Sequence, residues 1–251
     1  MSRSEPNSGS NARAGAQFRT TRWSAVRAAV DSAAPAAPEA LEKLCRTYWF
    51  PLYAYVRRRG YDVHDAQDLT QEFFARFLEK KYLRRADQDR GKFRSFLLTS
   101  LKNFLANEWD RARAEKRGGN CAIVSLDDTA EARYGGEASS DLPPDKIFER
   151  RWALALLEEA LQRLAQESAA SGKAKQFELL RPFLSGETSG ARYDGPAAQL
   201  GLTTNAVSVA VHRLRTRYRE LVREEVAHTI LNPAEIDEEM RFLLVAIGGG
   251  E

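Results

Sequence analysis

The sequence predicts an all-α protein: two small helical domains joined by a flexible linker, followed by a C-terminal amphipathic helix. Three observations favour this fold class. Apolar side chains recur at helical spacing from residue 39 to 113 and again from residue 147 onward. The first of these blocks shows none of the strict apolar–polar alternation that indicates strands. Between the blocks, residues 116–145 contain two Gly-Gly pairs and a Pro-Pro pair, a composition typical of a linker between domains.

Individual helices follow from the spacing and from end signals. Leu44, Tyr48 and Leu52 belong to a helix that Gly60 ends. Asp62 is a suitable N-cap for the next helix, whose apolar stripe ends near Leu78. A third long helix is predicted from residue 93 to about 113. Together these three segments predict a helical bundle.

The predicted organisation divides the chain into six parts. They are a disordered tail (1–17), an N-terminal helix with a linker (18–38), a first helical domain (39–117), an acidic linker (118–145), a second helical domain (146–231) and a C-terminal helix (232–251). Basic side chains are in excess over 84–117 and 204–223, and acidic ones in the segments that follow each block. This pattern is typical of a chain that touches nucleic acid at two places, although solvated helix faces are the simpler alternative.

Composition excludes several classes of protein. The chain has 251 residues, 43% hydrophobic and 29% charged, with a net charge of +3, which indicates a globular protein. Its longest apolar run, Phe242–Ile247, is far shorter than a membrane span, and the polar N-terminus does not resemble a signal peptide. The 2 cysteines and 3 histidines lack metal-ligand spacing. We therefore expect a cytoplasmic protein without a metal or cofactor.

The strongest local motif lies at residues 195–221, where a short helix, a turn at Gly201 and a long helix predict a helix-turn-helix. Ala198 is expected to allow close approach of the two helices, and Leu202 to fill the space between them. Thr203 can cap the second helix. An ordinary helical hairpin with an arginine-rich face remains the alternative. Side chains expected at base edges or phosphates are Thr204, Asn205, Ser208, Arg213, Arg215, Arg217 and Arg219.

A second motif, DAQDLTQEFFARFL, places polar side chains beside the apolar stripe of the predicted second helix. Asp68, Gln71, Glu72 and Arg76 fall on adjoining turns and form a polar ridge. A metal-dependent nucleic-acid enzyme using Asp65, Asp68 and Glu72 would need further ligands, and the chain offers none in an obvious position. A solvated face or a protein-docking ridge are the remaining interpretations.

The C-terminal segment predicts an amphipathic helix that Asn232 caps. Its first turns are acidic, and its apolar stripe includes Leu243 and Leu244. Two interpretations stay open for this helix. It packs on the second domain as additional core, or its acidic side chains compete with DNA for the arginine face at 213–219.

The helix-turn-helix motif at 195–221 and the DAQDLTQEFFARFL motif both resemble segments of bacterial RNA polymerase sigma factors of the extracytoplasmic-function (ECF) type. DAQDLTQEFFARFLEK resembles sigma region 2.2, FRSFLLTSLKNFLANEWDRARAEKR resembles regions 2.3 and 2.4, and the 195–221 motif resembles region 4.2. The segments occur in the order found in that family. FRTTRWSAV near the N-terminus is similar to a segment found in a subgroup whose members carry C-terminal extensions.

The resemblance implies specific roles. Core polymerase, through its largest-subunit clamp and its flap, and promoter DNA would be the partners, and an anti-sigma factor or other regulatory protein is a further candidate. Asp65, Asp68, Gln71, Glu72 and Arg76 would bind the polymerase. The −10 element would meet Arg90, Lys92, Arg94, Lys102, Asn103, Asn107, Trp109, Arg111 and Arg113. The −35 element would meet Thr203, Thr204, Asn205, Ser208, His212, Arg213, Arg215 and Arg217.

The sequence therefore predicts a transcription initiation factor, and not an enzyme, which directs core polymerase to −10 and −35 elements and promotes DNA melting. The alternative is a free-standing helix-turn-helix regulator whose N-terminal bundle senses a signal or dimerises. The ridge at Asp68, Gln71 and Glu72 discriminates between the two, because a free-standing regulator has no use for a polymerase-docking surface.

Overall fold

A computed structural model describes residues 37–78, 92–115, 128–135, 141–184, 193–230 and 232–248. Within them the secondary structure is entirely helical. The helices are α1 (Ala37–Arg58), α2 (Val63–Leu78), α3 (Phe93–Glu115), α4 (Asp128–Gly135), α5 (Pro144–Ala170), α6 (Ala174–Leu180), α7 (Asp194–Leu200), α8 (Thr204–Ala227) and α9 (Ile236–Gly248). The all-α prediction is confirmed. The predictions for residues 1–36 lie outside the described residues.

The local end signals act as the sequence indicates. Gly60 has φ +96°, a left-handed conformation that suits glycine, two residues after the end of α1. An Oδ1 atom of Asp62 accepts a hydrogen bond from the backbone N of Asp65 at 2.8 Å and so caps α2. At the far end of the chain, the Asn232 side chain accepts from the backbone N of Ala234 at 3.0 Å.

One continuous core joins the helices of both halves. Helix α1 packs along α5, and α5 also contacts α8 and α9. Tyr48 of α1 and Trp152 of α5 are both fully buried, and the Trp152 indole Nε1 donates to the Tyr48 hydroxyl at 3.3 Å. The division into two domains remains a prediction, but in this arrangement the two halves share apolar contacts.

Helix α4 lies in a stretch where the sequence analysis expected no secondary structure. Its residue Tyr134 is buried and packs edge-on against Tyr53 of α1. Glu131 of α4 accepts hydrogen bonds from both Arg57 and Tyr53 of α1. This part of the predicted linker is thus attached to the first helix.

A smaller apolar cluster underlies the helix-turn-helix. Val207 and Val211 of α8 and Leu180 of α6 are fully buried, and Ala197 of α7 is buried beside them. Two details of the prediction were wrong. Ala198 is exposed. The small residue of α7 that packs against α8 is instead Ala197, which precedes it. Leu202 is 41% exposed. Leu200 packs against the apolar cluster in the position that was expected for Leu202.

Candidate polymerase and nucleic-acid interfaces

The polar ridge of α2 lies on the protein surface. Asp65, Gln71 and Glu72 are exposed, and Asp68 is half-buried between them. Burial raises the pKa of Asp68, and the nearby Asp65 carboxylate raises it further, because both disfavour a negative charge there. The ridge is accordingly an acidic surface that includes one amide, Gln71.

Arg76 ends this ridge but is engaged within the bundle. Its guanidinium pairs with Glu72 on the same helix, donates from Nη1 to Oε1 of Glu108 on α3 at 2.6 Å, and lies 5.2 Å from the Phe104 ring centroid. Burial alone would lower the pKa of Arg76, but hydrogen bonds and charges from the two carboxylates raise it. Arg76 therefore connects α2 to α3, and the accessible part of the ridge is formed by the acids and the glutamine.

Two of the cations predicted to bind the −10 element lie at the start of α3 and contact the C-terminal helix. Lys92 donates to Glu238 at 2.8 Å and also pairs with Glu239 at 2.9 Å. Arg94 donates to Glu239 at 2.6 Å and is 7% exposed. Both cations are thus bound by carboxylates of α9.

The middle of α3 carries an exposed polar face. Lys102, Asn103, Asn107 and Trp109 are all exposed, and Trp109 keeps 55% of its surface accessible. Lys102 pairs with Asp145, and its Nζ lies 5.9 Å from the Tyr55 ring centroid. An exposed indole beside amides and a cation is suited to stack a nucleobase.

A cleft of about 450 Å³ opens beside this face. Its lining combines aromatic and charged side chains: Arg59, Tyr61, Lys102, Leu105, Ala106, Trp109 and Asp110. Arg59 and Tyr61 were not among the predicted site residues. Their position in the turn after α1 shows no helical periodicity, so no sequence signal connected them with α3. The remaining predicted −10 residues are not described in side-chain detail: Arg90 lies outside the described residues, and Arg111 and Arg113 belong to α3 without described side chains.

The predicted helix-turn-helix corresponds to α7, the turn and α8. Gly201 has φ +64°, the left-handed conformation that a tight end of α7 requires. Thr203 caps α8, because its Oγ1 accepts from the backbone N of Ala206 at 3.2 Å. Both features agree with the predicted role of these residues.

The outer face of α8 presents most of the residues predicted to read the −35 element. Thr203, Thr204, Asn205, His212 and Arg213 are exposed, and Ser208 is half-buried. Val209, which the sequence analysis did not select, is 44% exposed on the same face. An accessible valine offers an apolar contact for a thymine methyl group.

The two predicted arginines that follow, Arg215 and Arg217, are half-buried and bonded to neighbouring elements. Arg215 donates from Nε to the backbone carbonyl of Phe183 at 2.8 Å. Arg217 donates to both carboxylate oxygens of Glu167, and these hydrogen bonds raise the pKa of Arg217 and lower that of Glu167. The structure thus brings Arg213 to the surface but binds Arg215 and Arg217 to neighbouring elements.

Two other kinds of site are absent from the part of the chain that the structure describes. No group of three or more His, Cys, Asp or Glu side chains among them is placed to hold a metal ion. None of the described helices is both long enough and apolar enough to cross a bilayer.

Comparison with known proteins bears on the first half of the chain. Residues 45–115 match the family model of sigma-70 region 2, and the match ends with the last residue of α3. No curated protein and no solved structure gives a match. The matched segment is less than a third of the chain, and it contains the α2 ridge and the exposed face of α3. The match shows that this segment is similar to region 2 of sigma-70 factors.

Proposed function

We propose that this protein is a sigma factor of the ECF type with a C-terminal extension. It binds core RNA polymerase, directs it to −10 and −35 promoter elements and promotes melting of the DNA. The observation that carries the proposal is the region 2 match over residues 45–115. A helix-turn-helix in the other half of the chain supports it, because −35 recognition calls for such a motif.

The α2 ridge is the proposed docking surface for the clamp of the polymerase largest subunit. Asp68, Gln71 and Glu72 are the proposed contacts, with Asp65 at the edge. Carboxylates and an amide form charge-assisted hydrogen bonds with basic side chains of a partner. Arg76 contributes indirectly, since its bonds to Glu72 and Glu108 hold the ridge against α3.

The face of α3 is the proposed site of −10 recognition. Melting requires a base to leave the stack and be held in a pocket. The cleft beside Trp109 is of a size and composition to receive a base, since an exposed indole supplies stacking and Lys102 a positive charge. Asn103 and Asn107 can donate and accept hydrogen bonds at base edges.

The −35 element is the proposed ligand of α8. Thr204, Asn205 and Ser208 meet base edges near the N-terminus of the helix, while His212 and Arg213 meet the phosphate backbone. This half of the protein would also contact the polymerase flap. Both DNA and core polymerase lie in the bacterial cytoplasm, which is the proposed location, and an anti-sigma factor or other regulatory partner is a candidate for controlling access.

Co-elution with sigma-free core RNA polymerase tests the proposal. The full chain is compared with Asp68→Ala/Gln71→Ala/Glu72→Ala and with a matched control, Glu158→Ala/Gln166→Ala/Glu178→Ala, which removes two acids and one amide from exposed positions on α5 and α6. We expect the wild type and the control to co-elute and the ridge variant not to. Co-elution of the ridge variant would refute the docking surface. Failure of all three folded proteins to co-elute would favour a free-standing helix-turn-helix regulator.

A further inference from the structure

A fully buried carboxylate links the C-terminal helix to the start of α3. Glu239 accepts from Arg94 Nε at 2.6 Å and from Arg94 Nη2 at 3.3 Å, and it pairs with Lys92 Nζ at 2.9 Å. Glu238, one residue earlier and mostly exposed, accepts from the same Lys92 at 2.8 Å. Two cations and two carboxylates thus form one cluster between elements 145 residues apart.

Aromatic side chains enclose the cationic side of this cluster. The Arg94 guanidinium lies 3.7 Å from the Phe242 ring centroid and 5.1 Å from that of Trp152. Lys92 Nζ lies 5.9 Å from the centroid of Phe242. Since Phe242 belongs to α9, the same helix supplies the carboxylates that neutralise the two cations and an aromatic ring that covers Arg94. Arg94 cannot reach a DNA strand while α9 holds this position.

Helix α9 is only partly buried. Glu239 and Leu243 are its buried residues, and Met240, Phe242, Ala246 and Ile247 pack half-buried against the core, whereas Leu244 is 65% exposed. A further ion pair, between Arg223 of α8 and Asp237, is on the surface. An element with few buried side chains is among the first to open. Of the two interpretations left open for this helix, competition for the arginines at 213–219 does not involve Glu238 and Glu239, because these carboxylates pair with Lys92 and Arg94.

We infer that α9 occupies the anion-binding site of Lys92 and Arg94, so that its two carboxylates stand in place of DNA phosphates until the helix is displaced. This inference rests on the proposed function, because it takes single-stranded promoter DNA as the ligand of these cations. It adds a regulatory step to that function, because the C-terminal helix and the displaced DNA strand compete for the site formed by Lys92 and Arg94.

Binding of the full chain to a fluorescein-labelled, mixed-sequence single-stranded 20-mer tests the competition. The variant Glu238→Gln/Glu239→Gln removes both negative charges and keeps the side-chain shapes. The matched control is Glu235→Gln, which removes a negative charge from the short turn before α9 and leaves the pairs of Lys92, Arg94 and Arg223 in place. Each phosphate newly contacted steepens the dependence of log K on log salt by about 0.7, so we expect the slope of the double variant to steepen by roughly 1.4. The control should match the wild type.

Adding Lys92→Gln and Arg94→Gln to the double variant should abolish the gain. An unchanged slope in the double variant, or a gain that persists without the two cations, overturns the inference. If the double variant proves unfolded by circular dichroism, amide hydrogen exchange of the wild-type chain replaces it: an excess of the 20-mer should speed exchange across Ile236–Gly248, because the strand displaces α9. Unchanged exchange then refutes the inference equally.

Co-elution with core polymerase separates this inference from the proposed function. A wild-type chain that co-elutes, combined with no change in DNA binding by the double variant, refutes the competition and leaves the sigma function intact. A steeper slope without co-elution of either protein supports occupation of the cationic site by α9 and refutes the sigma function.

Discussion

Arg217 donates two hydrogen bonds to the carboxylate of Glu167, from Nε at 2.8 Å and from Nη2 at 2.7 Å. This bidentate pair joins α8 to α5 and engages a cation that the sequence alone assigns to promoter DNA. Arg213, one turn earlier on α8, is exposed. The two arginines therefore differ in what their removal should do.

Arg213→Ala should weaken binding to duplex DNA and lower the salt slope by about 0.9, the contribution of one phosphate contact. Arg217→Ala should leave that slope unchanged, because its guanidinium is bound to Glu167. Since this pair is more than a third exposed, its loss should lower the free energy of unfolding by less than about 1 kcal/mol. Fluorescence anisotropy over a salt series and urea denaturation measure the two effects. Equal losses of slope in both variants would show that Arg217 leaves Glu167 on DNA.

Removing Arg163 should destabilise the protein strongly. Arg163 on α5 donates to Glu225 of α8 at 2.7 Å, and Glu225 is fully buried. Arg163→Ala removes the guanidinium that compensates this buried charge, which should lower the free energy of unfolding by about 3–5 kcal/mol. Glu224→Ala is the control, because it removes the more accessible acceptor of the same arginine and leaves the Arg163–Glu225 pair intact. Urea denaturation compares the two variants. A similar loss of unfolding free energy in both would mean that the burial of Glu225 does not increase the cost of removing Arg163.

These relationships show why the sequence predicts the helices better than the sites. Helical periodicity and end signals such as Gly60 and Asp62 are local, and both predictions are confirmed. The partner of a long cation is not local. Glu167 lies 50 residues before Arg217, and no spacing rule connects them. Arg94 looks exposed in sequence, among charged neighbours, but α9 buries it.

Helix α4 illustrates a second limit of the sequence. It is only 8 residues long and lies among glycines and acids, where propensity alone predicts a linker. Its attachment to α1 depends on Glu131, whose carboxylate accepts hydrogen bonds from Arg57 Nη2 at 2.7 Å and from the Tyr53 hydroxyl at 2.7 Å. Such tertiary contacts stabilise a helix that is too short to be stable alone.

Stability should depend on pH through Glu131. The hydrogen bond from Arg57 holds the pKa of Glu131 below its usual value of 4.5. The unfolded chain therefore binds a proton more readily, so the stabilisation is fully present above pH 4.5 and is lost as pH falls through the lower, folded-state pKa. Glu131→Gln should be less stable at neutral pH and should lose less stability on acidification. Thermal melts from neutral to acid pH measure this, and parallel curves for the two proteins would contradict it.

Trp109 should contribute to binding of single-stranded DNA by stacking. Its indole is 55% exposed beside the cleft that Lys102 and Tyr61 line. Trp109→Ala should weaken binding of a single-stranded oligonucleotide by about 1–3 kcal/mol, whereas Trp109→Phe keeps an aromatic face and should lose much less. Trp49→Phe is the control, because Trp49 is half-buried and stacks on Tyr53 at 5.3 Å within the protein. Anisotropy titrations of the three variants measure the effect. Equal weakening by Trp109→Ala and Trp109→Phe would show that the indole acts through a hydrogen bond or shape rather than through stacking, and no weakening by either would exclude Trp109 from the DNA-binding face.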